Sequence, residues 1–437
     1  MKLAYLCSKY PAVSHTFVLR EVNALRKLGA DIETFSIRRA EPHELLADAD
    51  RQAFASTYAI LPARWFTLLR AHFRLLTVSP RAYLCGLMLA MRMAPAGLRG
   101  HLWQVFYFVE SVILWSQCDR RDLRHIHVHL GNVAADVALL AAHIGSVADP
   151  QQPWSWSLTI HGPFEFFDVS HFRVAEKLKR ARFVVCISDY ARSQLMALSD
   201  REMWDKLQVI HVGIPIEQFT RTADANPSPE AFTILFIGRL VAVKGQAILL
   251  EAAALLRDRG HSVNVVIAGD GPLRSTLERL AERLELAAQV SFLGAVGQDE
   301  IKAVYAGASV FCLPSFAEGV PGVLMEAMAM ELPVVSTRIT GVPELVDDGR
   351  TGLLVAPGRT DQLADALERL LVDPALRRKM GSMAREKVVR EFNTQTSAEQ
   401  VYELFASYLE GRGEDQGVTV PSDLENAGRS LGRPGAG

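Results

Sequence analysis

Two carboxylates raise the first chemical question. Glu318 and Glu326, with seven residues between them, lie in the segment FAEGVPGVLMEAMAMELPVVST. The segment reads as a strand end at VFCLPS (310–315), a glycine-bearing loop AEGVPG, and a helix opening at VLMEAMAM. A loop of this kind, with Pro321 just ahead of a helix, presents free backbone N–H groups. Together with the helix dipole these attract phosphate. A carboxylate is a poor phosphate ligand but a good acceptor for sugar hydroxyls. Amide donors flanked by two such acceptors suit a nucleotide-sugar, with Glu326 on one sugar ring, Glu318 on another and the loop on the diphosphate. The spacing alone also fits two surface carboxylates near a helix start, and other motifs narrow the choice.

GRLVAVKG (238–245) follows the apolar run TILFIG, so Arg239 and Lys244 project from a loop at a strand's C-terminal end. The planar Arg fork and the Lys point charge both suit a diphosphate, although a solvated basic loop has the same composition. AGDGPLR (268–274) is a second glycine turn after a strand, where backbone can approach a ligand closely. In the first half, SLTIHGPFEFFD (157–168) sets His161 and Gly162 at a strand end, where His161 can donate a hydrogen bond to a sugar hydroxyl or to developing charge. HIHVHLG (125–131) puts His125, His127 and His129 on one strand face. Three such histidines span about 13 Å, too far for one ion to gather. Packing and hydrogen bonding are therefore their expected roles, and no metal site is assigned. Ser188, in VVCISDYARSQL, is expected to cap a helix.

These residues need a scaffold that brings strand ends together. Apolar runs at 3–7, 32–37, 125–130, 157–162, 183–188 and 209–214 alternate with helical stretches. A second series follows at 233–238, 263–269, 290–294, 310–314, 333–337 and 352–355. Near-continuous apolar strands between helices indicate parallel sheets covered on both faces. The expectation is an α/β chain of two doubly wound, Rossmann-like domains, 1–221 and 232–390, joined by the polar, two-proline linker TADANPSPEA (222–231). A helix over 391–410 is expected to pack back on the first domain, and the Gly/Pro/Asp-rich tail 411–437 to be disordered. Open α/β sheets bind ligands beyond the C-terminal ends of their strands, so two facing domains enclose one shared cleft.

Composition sets outer limits. The chain has 437 residues, is 49% hydrophobic and 22% charged, and carries a formal charge of −2, which argues against a nucleic-acid binder. Its five cysteines are far apart with no metal-ligand spacing, as expected of free thiols in a reducing compartment. The opening MKLAYLCSKYP is too short and interrupted for a signal peptide, and no apolar run reaches the roughly 18 residues of a membrane span. A cytoplasmic location follows as an expectation.

Taken together, GRLVAVKG, AGDGPLR, VSFLGAV and LPSFAEGVPGVLMEAMAMELPVVST, followed by GVPELVDDGRTGLLV, resemble the C-terminal half of glycosyltransferase family 4. The resemblance covers roughly residues 232–390 with the motifs in intact order. That family comprises retaining, metal-independent hexosyltransferases of the GT-B fold. The resemblance implies that Arg239 and Lys244 bind the donor diphosphate, that Glu326 binds the nucleotide ribose, and that Glu318 contacts the transferred sugar. It implies that backbone amides of Gly319, Val320, Val323 and Leu324 reach sugar and phosphate, and that Leu293 and Gly294 line the base pocket. A strand ending in His-Gly matches the family too and implies a cleft role for His161, and VIHVGIPIEQF (209–219) is similar to it as well. The first loop, SKYPAVSHTFVLREVNALRKLG (8–29), lacks the glycine pair of many members. Its Tyr-Pro…Ser-x-Thr-Phe pattern resembles a subgroup that makes bacterial exopolysaccharides, including colanic-acid-type enzymes. Ser14, His15 and Thr16 there start a helix and stand to meet phosphate or acceptor.

Residues 51–109 carry seven arginines and no Asp, Glu or Lys, with Trp65, Phe66, Phe73, Tyr83, Trp103, Phe106, Tyr107 and Phe108 interleaved. This basic insert, about 51–115, is expected to form amphipathic helices. Such helices can lie on the inner leaflet, where each cation is worth about 1 kcal/mol. They can also pack on the domain with their arginines snorkelling. The expected activity is transfer from a nucleotide-sugar to a saccharide acceptor, lipid-linked at the membrane, in surface-polysaccharide synthesis, with no cofactor beyond the co-substrate. A nucleotide-sugar epimerase of the same fold and a non-catalytic scaffold subunit are the rivals. A dehydrogenase is excluded because the loop after the first strand lacks GxGxxG.

Overall fold

The chain is described by a computed structural model over residues 1–12, 16–45, 47–221, 232–297 and 300–409. Ser14 and His15 of the first loop, the 222–231 linker and the tail 411–437 lie outside the described residues.

The first half folds around β1 (Lys2–Lys9), β2 (Asp31–Arg38), β3 (Tyr58–Leu61), β4 (His125–His129), β5 (Ser155–Ile160), β6 (Val184–Cys186) and β7 (Leu207–Val209). All neighbours are parallel, in the order β3-β2-β1-β4-β5-β6-β7. The second half repeats the plan with β8 (Phe232–Ile237), β9 (Val263–Ala268), β10 (Val290–Gly294), β11 (Val310–Leu313), β12 (Val334–Thr337) and β13 (Gly352–Val355), in the order β10-β9-β8-β11-β12-β13. Parallel neighbours need helical crossovers, which cover both faces and require strands apolar on both sides. β11, VFCL, is buried at every position for that reason. The strand order reverses between β1 and β4 and again between β8 and β11. These are the switch points where doubly wound sheets open a ligand crevice.

β3 is a correction to the sequence reading. Tyr58–Leu61 lies inside the segment expected to be helical, yet it pairs in register with Phe35–Arg38 as an edge strand. Four residues are too few for period-2 alternation to register against the apolar background. The rest of the segment forms helices over Trp65–Val78, Pro80–Met93 and Leu98–Arg120. Ala71, Leu75, Ala82, Leu89, Ala90, Phe108 and Val112 turn inward to the core under the helix Val133–Ala148.

The chain then returns to where it began. Ile214 N donates to Phe392 O at 2.9 Å and Thr394 N to Ile214 O at 3.0 Å, which delivers the helix Thr394–Leu409 to the first sheet. Its Phe405 is fully buried, with its ring 5.1 Å from that of His127 and 5.5 Å from Phe183. Truncating such a ring costs roughly 3–5 kcal/mol. The five cysteines are free thiols, and Cys7, Cys118, Cys186 and Cys312 are buried.

Candidate active site

At the second switch point β8 runs out into GRLVAVKG. Arg239 is exposed at the strand end, while Lys244 closes a one-turn 3-10 helix, Ala242–Lys244. Gly245 follows at φ +69°, where a Cβ would collide with the Pro314 carbonyl, so this turn is pressed against the end of β11. That contact sets Lys244 beside the second motif. Its Nζ lies 2.6 and 2.9 Å from the two oxygens of Glu318, and Ser315 Oγ donates to the same carboxylate at 2.6 Å. The loop after Glu318 leads into the helix Gly322–Ala329, whose start at Pro321 has no side-chain cap. Its first amides are therefore left to a ligand or to water.

Glu326 is in the second turn of this helix and is buried. Tyr305 Oη donates to one of its oxygens at 2.9 Å and Arg20 Nη2 to the other at 2.7 Å. Burial and the Glu326 carboxylate push the Tyr305 phenol well above its usual pKa, so it remains a donor. Arg20 belongs to the helix Thr16–Lys27 of the first half, so this ion pair spans the cleft. The loop makes a second crossing, since a Cβ on Gly319 would collide with the His161 carbonyl. Glu344 makes a third. Its carboxylate accepts from the amides of Asp189 and Tyr190 at 2.8 and 2.9 Å, and from His211 at 3.3 Å. Burial would raise its pKa, but those three bonds outweigh burial and hold it below the usual carboxylate value. Ser188 caps the same helix by accepting from Ala191 N at 3.1 Å.

The base-pocket residues sit at the neighbouring strand end. Leu293 is half exposed, and Gly294 O accepts from Gly269 N at 2.7 Å, which joins the AGDGPLR turn to β10. Of the amides implied to reach a donor, that of Leu324 is engaged with Pro321 O at 3.1 Å. Gly319, Val320 and Val323 line the loop and helix start beside it. The structure thus brings Lys244, Glu318, Glu326 and the helix start together, leaves Arg239 at the exposed rim, and brings His161 to the same crevice.

His161 is held from two sides. Its backbone N, with those of Gly131 and Gly162, donates to the buried Glu165 carboxylate at 3.1, 2.6 and 2.5 Å respectively. Burial raises the Glu165 pKa against the opposing pull of these amides. Its ring lies 4.2 Å from Phe17, and its Nε2 lies 3.0 Å from His129 Nδ1. The strand histidines form a ladder in register with β5. His125 bonds Ser155 and Ser157, and His127 bonds Ser157 and Thr159, all within 2.7–3.0 Å. Burial pushes His125 down to about 3 and His127 well below the ordinary histidine range, so both are neutral. Glu21, His127 and His129 offer ligand atoms within 4.8 Å of one another, but the His127 and His129 nitrogens each already have a protein partner.

Arg20, Glu21, Tyr305, Glu165 and Glu344 are site residues that the sequence did not single out. Arg20 and Glu21 were legible only as an adjacent pair in a helix, whose neighbours point to different partners. Glu344 stood in the GVPELV motif without an assigned role.

Residues 219–387 match the family model for glycosyl transferases group 1. The chain is 28% identical to an alpha-D-kanosaminyltransferase of Streptomyces kanamyceticus, over 71% of this chain and 86% of that one. It is 26% identical to a putative colanic acid biosynthesis glycosyltransferase of Salmonella typhimurium, over 92% of this chain and 99% of that one. An amylovoran biosynthesis glycosyltransferase of Erwinia amylovora is 27% identical over the same shares. Among solved structures, sucrose-phosphate synthase of Thermosynechococcus elongatus superposes with a TM-score of 0.71 at 21% identity, covering 94% of this chain and all of that one. HepE of Anabaena, solved with UDP and glucose, gives 0.69 at 19% identity over 93% of this chain and all of HepE. The fold is GT-B, and the chain is a glycosyltransferase with a group 1 domain.

Proposed function

We propose that this glycosyltransferase of group 1 moves a sugar from a nucleoside-diphosphate sugar to a saccharide acceptor in exopolysaccharide synthesis, with retention of configuration and without a metal. The observation that carries the reading is the gathering of Lys244, Glu318, Glu326 and an uncapped helix start at one switch point. HepE, solved with UDP and glucose and with UDP-glucose, and the similar colanic acid and amylovoran enzymes support it.

Lys244 and Glu318 neutralise each other in this structure, as do Arg20 and Glu326. A diphosphate entering beside Lys244 competes with Glu318 for the ammonium, freeing Glu318 to accept from hydroxyls of the transferred sugar. Glu326 accepts from the ribose. As the bond from C1 to the phosphate oxygen stretches, Lys244, Arg239 and the helix start stabilise the charge that gathers on the leaving diphosphate. The acceptor hydroxyl attacks C1 from the same face. The new C1–O bond forms as the old one breaks, and the acceptor's proton passes to the leaving phosphate oxygen.

An acceptor carried on lipid fits the helices between residues 65 and 106. Of eighteen exposed large apolar side chains among the described residues, thirteen lie there, so they form a patch rather than a scatter. No helix among the described residues is long and apolar enough to cross a membrane. The patch suits contact with the inner leaflet from the cytoplasmic side.

The test is a melting screen with UDP, GDP, ADP and dTDP, with and without chelator. A nucleotide at about a hundred times its dissociation constant adds roughly 2.7 kcal/mol. A shift with one nucleotide that persists in chelator supports the reading and names the donor class, whereas a shift that needs a divalent metal refutes the metal-free mechanism.

A further inference from the structure

One buried carboxyl group has nothing in the protein to bond. Glu110, on the helix Leu98–Arg120, is 8% exposed, and its Oε2 is buried without a hydrogen-bond partner. It forms no ion pair with a described residue. The other buried acids of the first half are provided for. Asp136 pairs with Lys177 at 2.8 Å, and Glu165 takes three backbone amides. Burial pushes the Glu110 carboxyl up to about 7, against the opposing pull of Arg38. A buried acid left unpaired works against the fold, and groups shifted in this way gather at binding sites.

The helix carries Glu110 to the ligand-binding end of the first sheet. At its C-terminal end Arg121 pairs with Glu33, near the start of β2, at 2.7 Å. Glu110 stands eleven residues before Arg121, about 16 Å along the helix. Arg38 stands five residues after Glu33, again about 16 Å along the strand. Glu110 and Arg38 are therefore level with the C-terminal end of β2, the end at which open sheets take their ligands. Arg38 is exposed and forms no ion pair with a described residue.

Tyr107 and Trp103 lie one and two turns further out on the same face of the helix. Their rings stack, with centroids 6.2 Å apart and planes 28° apart, and Trp103 is exposed. Burial first, then Asp136 and Glu110, raise the pKa of the Tyr107 phenol, which places it beside both acids. Exposed Leu98, Leu102 and Phe106 of the apolar patch follow on the same helix. Between that patch and the strand ends the chain thus offers an acceptor, a cationic donor, a phenol and an aromatic face. Adjacent sugar hydroxyls donate to a carboxylate and accept from a guanidinium, while the apolar face of the ring covers an aromatic one.

We propose that Glu110, Arg38 and Tyr107 form the subsite that selects the acceptor sugar, with Glu110 accepting from one hydroxyl, Arg38 donating to its neighbour, and Tyr107 with Trp103 receiving the ring. The proposal rests on the reading of the chain as a transferase to a saccharide acceptor, and it names the residues that hold that saccharide.

The experiment titrates the full chain with the octyl glycosides of glucose, galactose, mannose and fucose below their micellar concentrations, with 1-octanol as the control for the patch. Binding is read by saturation-transfer NMR. At least one glycoside is expected to bind the wild-type chain more tightly than 1-octanol. Glu110→Leu fills the site without a polar group. It is expected to weaken that binding at least about tenfold, the loss of one charged hydrogen bond, while raising the melting temperature because an unpaired buried acid is gone. A residue that only held the fold together would lower the melt instead. Glu110→Gln and Arg38→Gln are each expected to weaken binding severalfold. A methyl glycoside that binds as tightly as its octyl counterpart supports the subsite with a free saccharide as acceptor, and a tighter octyl glycoside supports it with a lipid-linked one. No glycoside bound better than 1-octanol overturns the proposal, as does a Glu110→Leu chain that melts lower or binds like wild type. Should Glu110→Leu fail to fold, unchanged binding by Glu110→Gln overturns it. The nucleotide melting shift is read separately. Its loss would refute the donor reading while leaving the glycoside result standing, and glycoside failure with the shift intact would refute this subsite alone.

Discussion

The two switch points treat charge in opposite ways. At the first, charged groups are woven into the backbone. Glu165 takes three main-chain amides, while Lys177, 1% exposed, reaches Asp136 at 2.8 Å and the carbonyls of Gly131 and Asn132 at 2.8 and 3.2 Å. At the second, Lys244 and Glu318 hold each other, and Glu326 holds Arg20 from across the cleft. A charge bonded to backbone is part of the frame and has nothing to exchange. A charge bonded to another mobile side chain can trade that partner for a ligand at little cost to the fold. The contrast predicts that removing charges from the first switch point unfolds the protein, whereas removing them from the second silences it.

The largest effects test that contrast directly. Lys177→Ala removes the ammonium that pairs with buried Asp136 and the donor to the Gly131 and Asn132 carbonyls, so we expect a loss of roughly 3–5 kcal/mol in denaturant melts. Glu326→Ala is expected to abolish donor use, lowering kcat/KM at least about 100-fold. Glu326→Gln, whose carbonyl can still accept from Arg20 or Tyr305, is expected to keep the melting temperature while losing most of that activity. Near-normal turnover in either Glu326 variant would remove Glu326 from the donor site. An unchanged melt in Lys177→Ala would erase the distinction between the two halves.

A smaller effect follows from the histidine ladder. The folded pKa values of His125 and His127 lie below the unfolded value of 6.5. Their contribution is therefore complete above that pH and is lost as pH falls below it, because only the unfolded chain binds the protons. Each can cost up to about 1.4 kcal/mol per pH unit in that window. Glu344, also lowered, adds a loss that begins only below its unfolded value of 4.5. Urea titrations at falling pH should show stability declining from about 6.5 downward, and His127→Asn should flatten the slope. A flat profile down to pH 5 would mean that the ladder takes up protons without opening.

The same contrast explains what could be read from the sequence. The second half was legible because its chemistry sits in local motifs, each just after an apolar strand. Lys244, Glu318 and Glu326 needed only the rule that strand ends converge. The partners in the first half are set by register and by long-range packing. His129 meets His161 because β4 and β5 align His129 opposite Thr159, two residues before His161. Arg20 meets Glu326 across 306 positions of sequence. Neither fact has a local trace. β3 was hidden for the opposite reason, as four apolar residues among many carry no periodic signal of their own.

The smallest expected effect concerns a surface that belongs to neither switch point. Arg51 pairs with Asp48 and Arg74 with Asp119, so those two arginines serve the fold. Arg64, Arg70, Arg81, Arg92 and Arg99 are exposed and form no ion pair with a described residue, among exposed Trp65, Phe73, Leu98 and Phe106. At an anionic bilayer each such cation is worth about 1 kcal/mol, roughly fivefold in binding. We therefore expect sedimentation with vesicles containing phosphatidylglycerol, weaker sedimentation with pure phosphatidylcholine, and about a fivefold loss for Arg70→Gln or Arg99→Gln, all reduced by salt. Trp65→Ser with Phe73→Ser should weaken binding to both lipids, because it removes inserted apolar area rather than charge. Neither set touches the cleft, so the nucleotide-induced melting shift should stay as in the wild-type chain. Equal binding to neutral and anionic vesicles would remove the arginines from the contact, and binding to neither would mean that this face does not meet a leaflet.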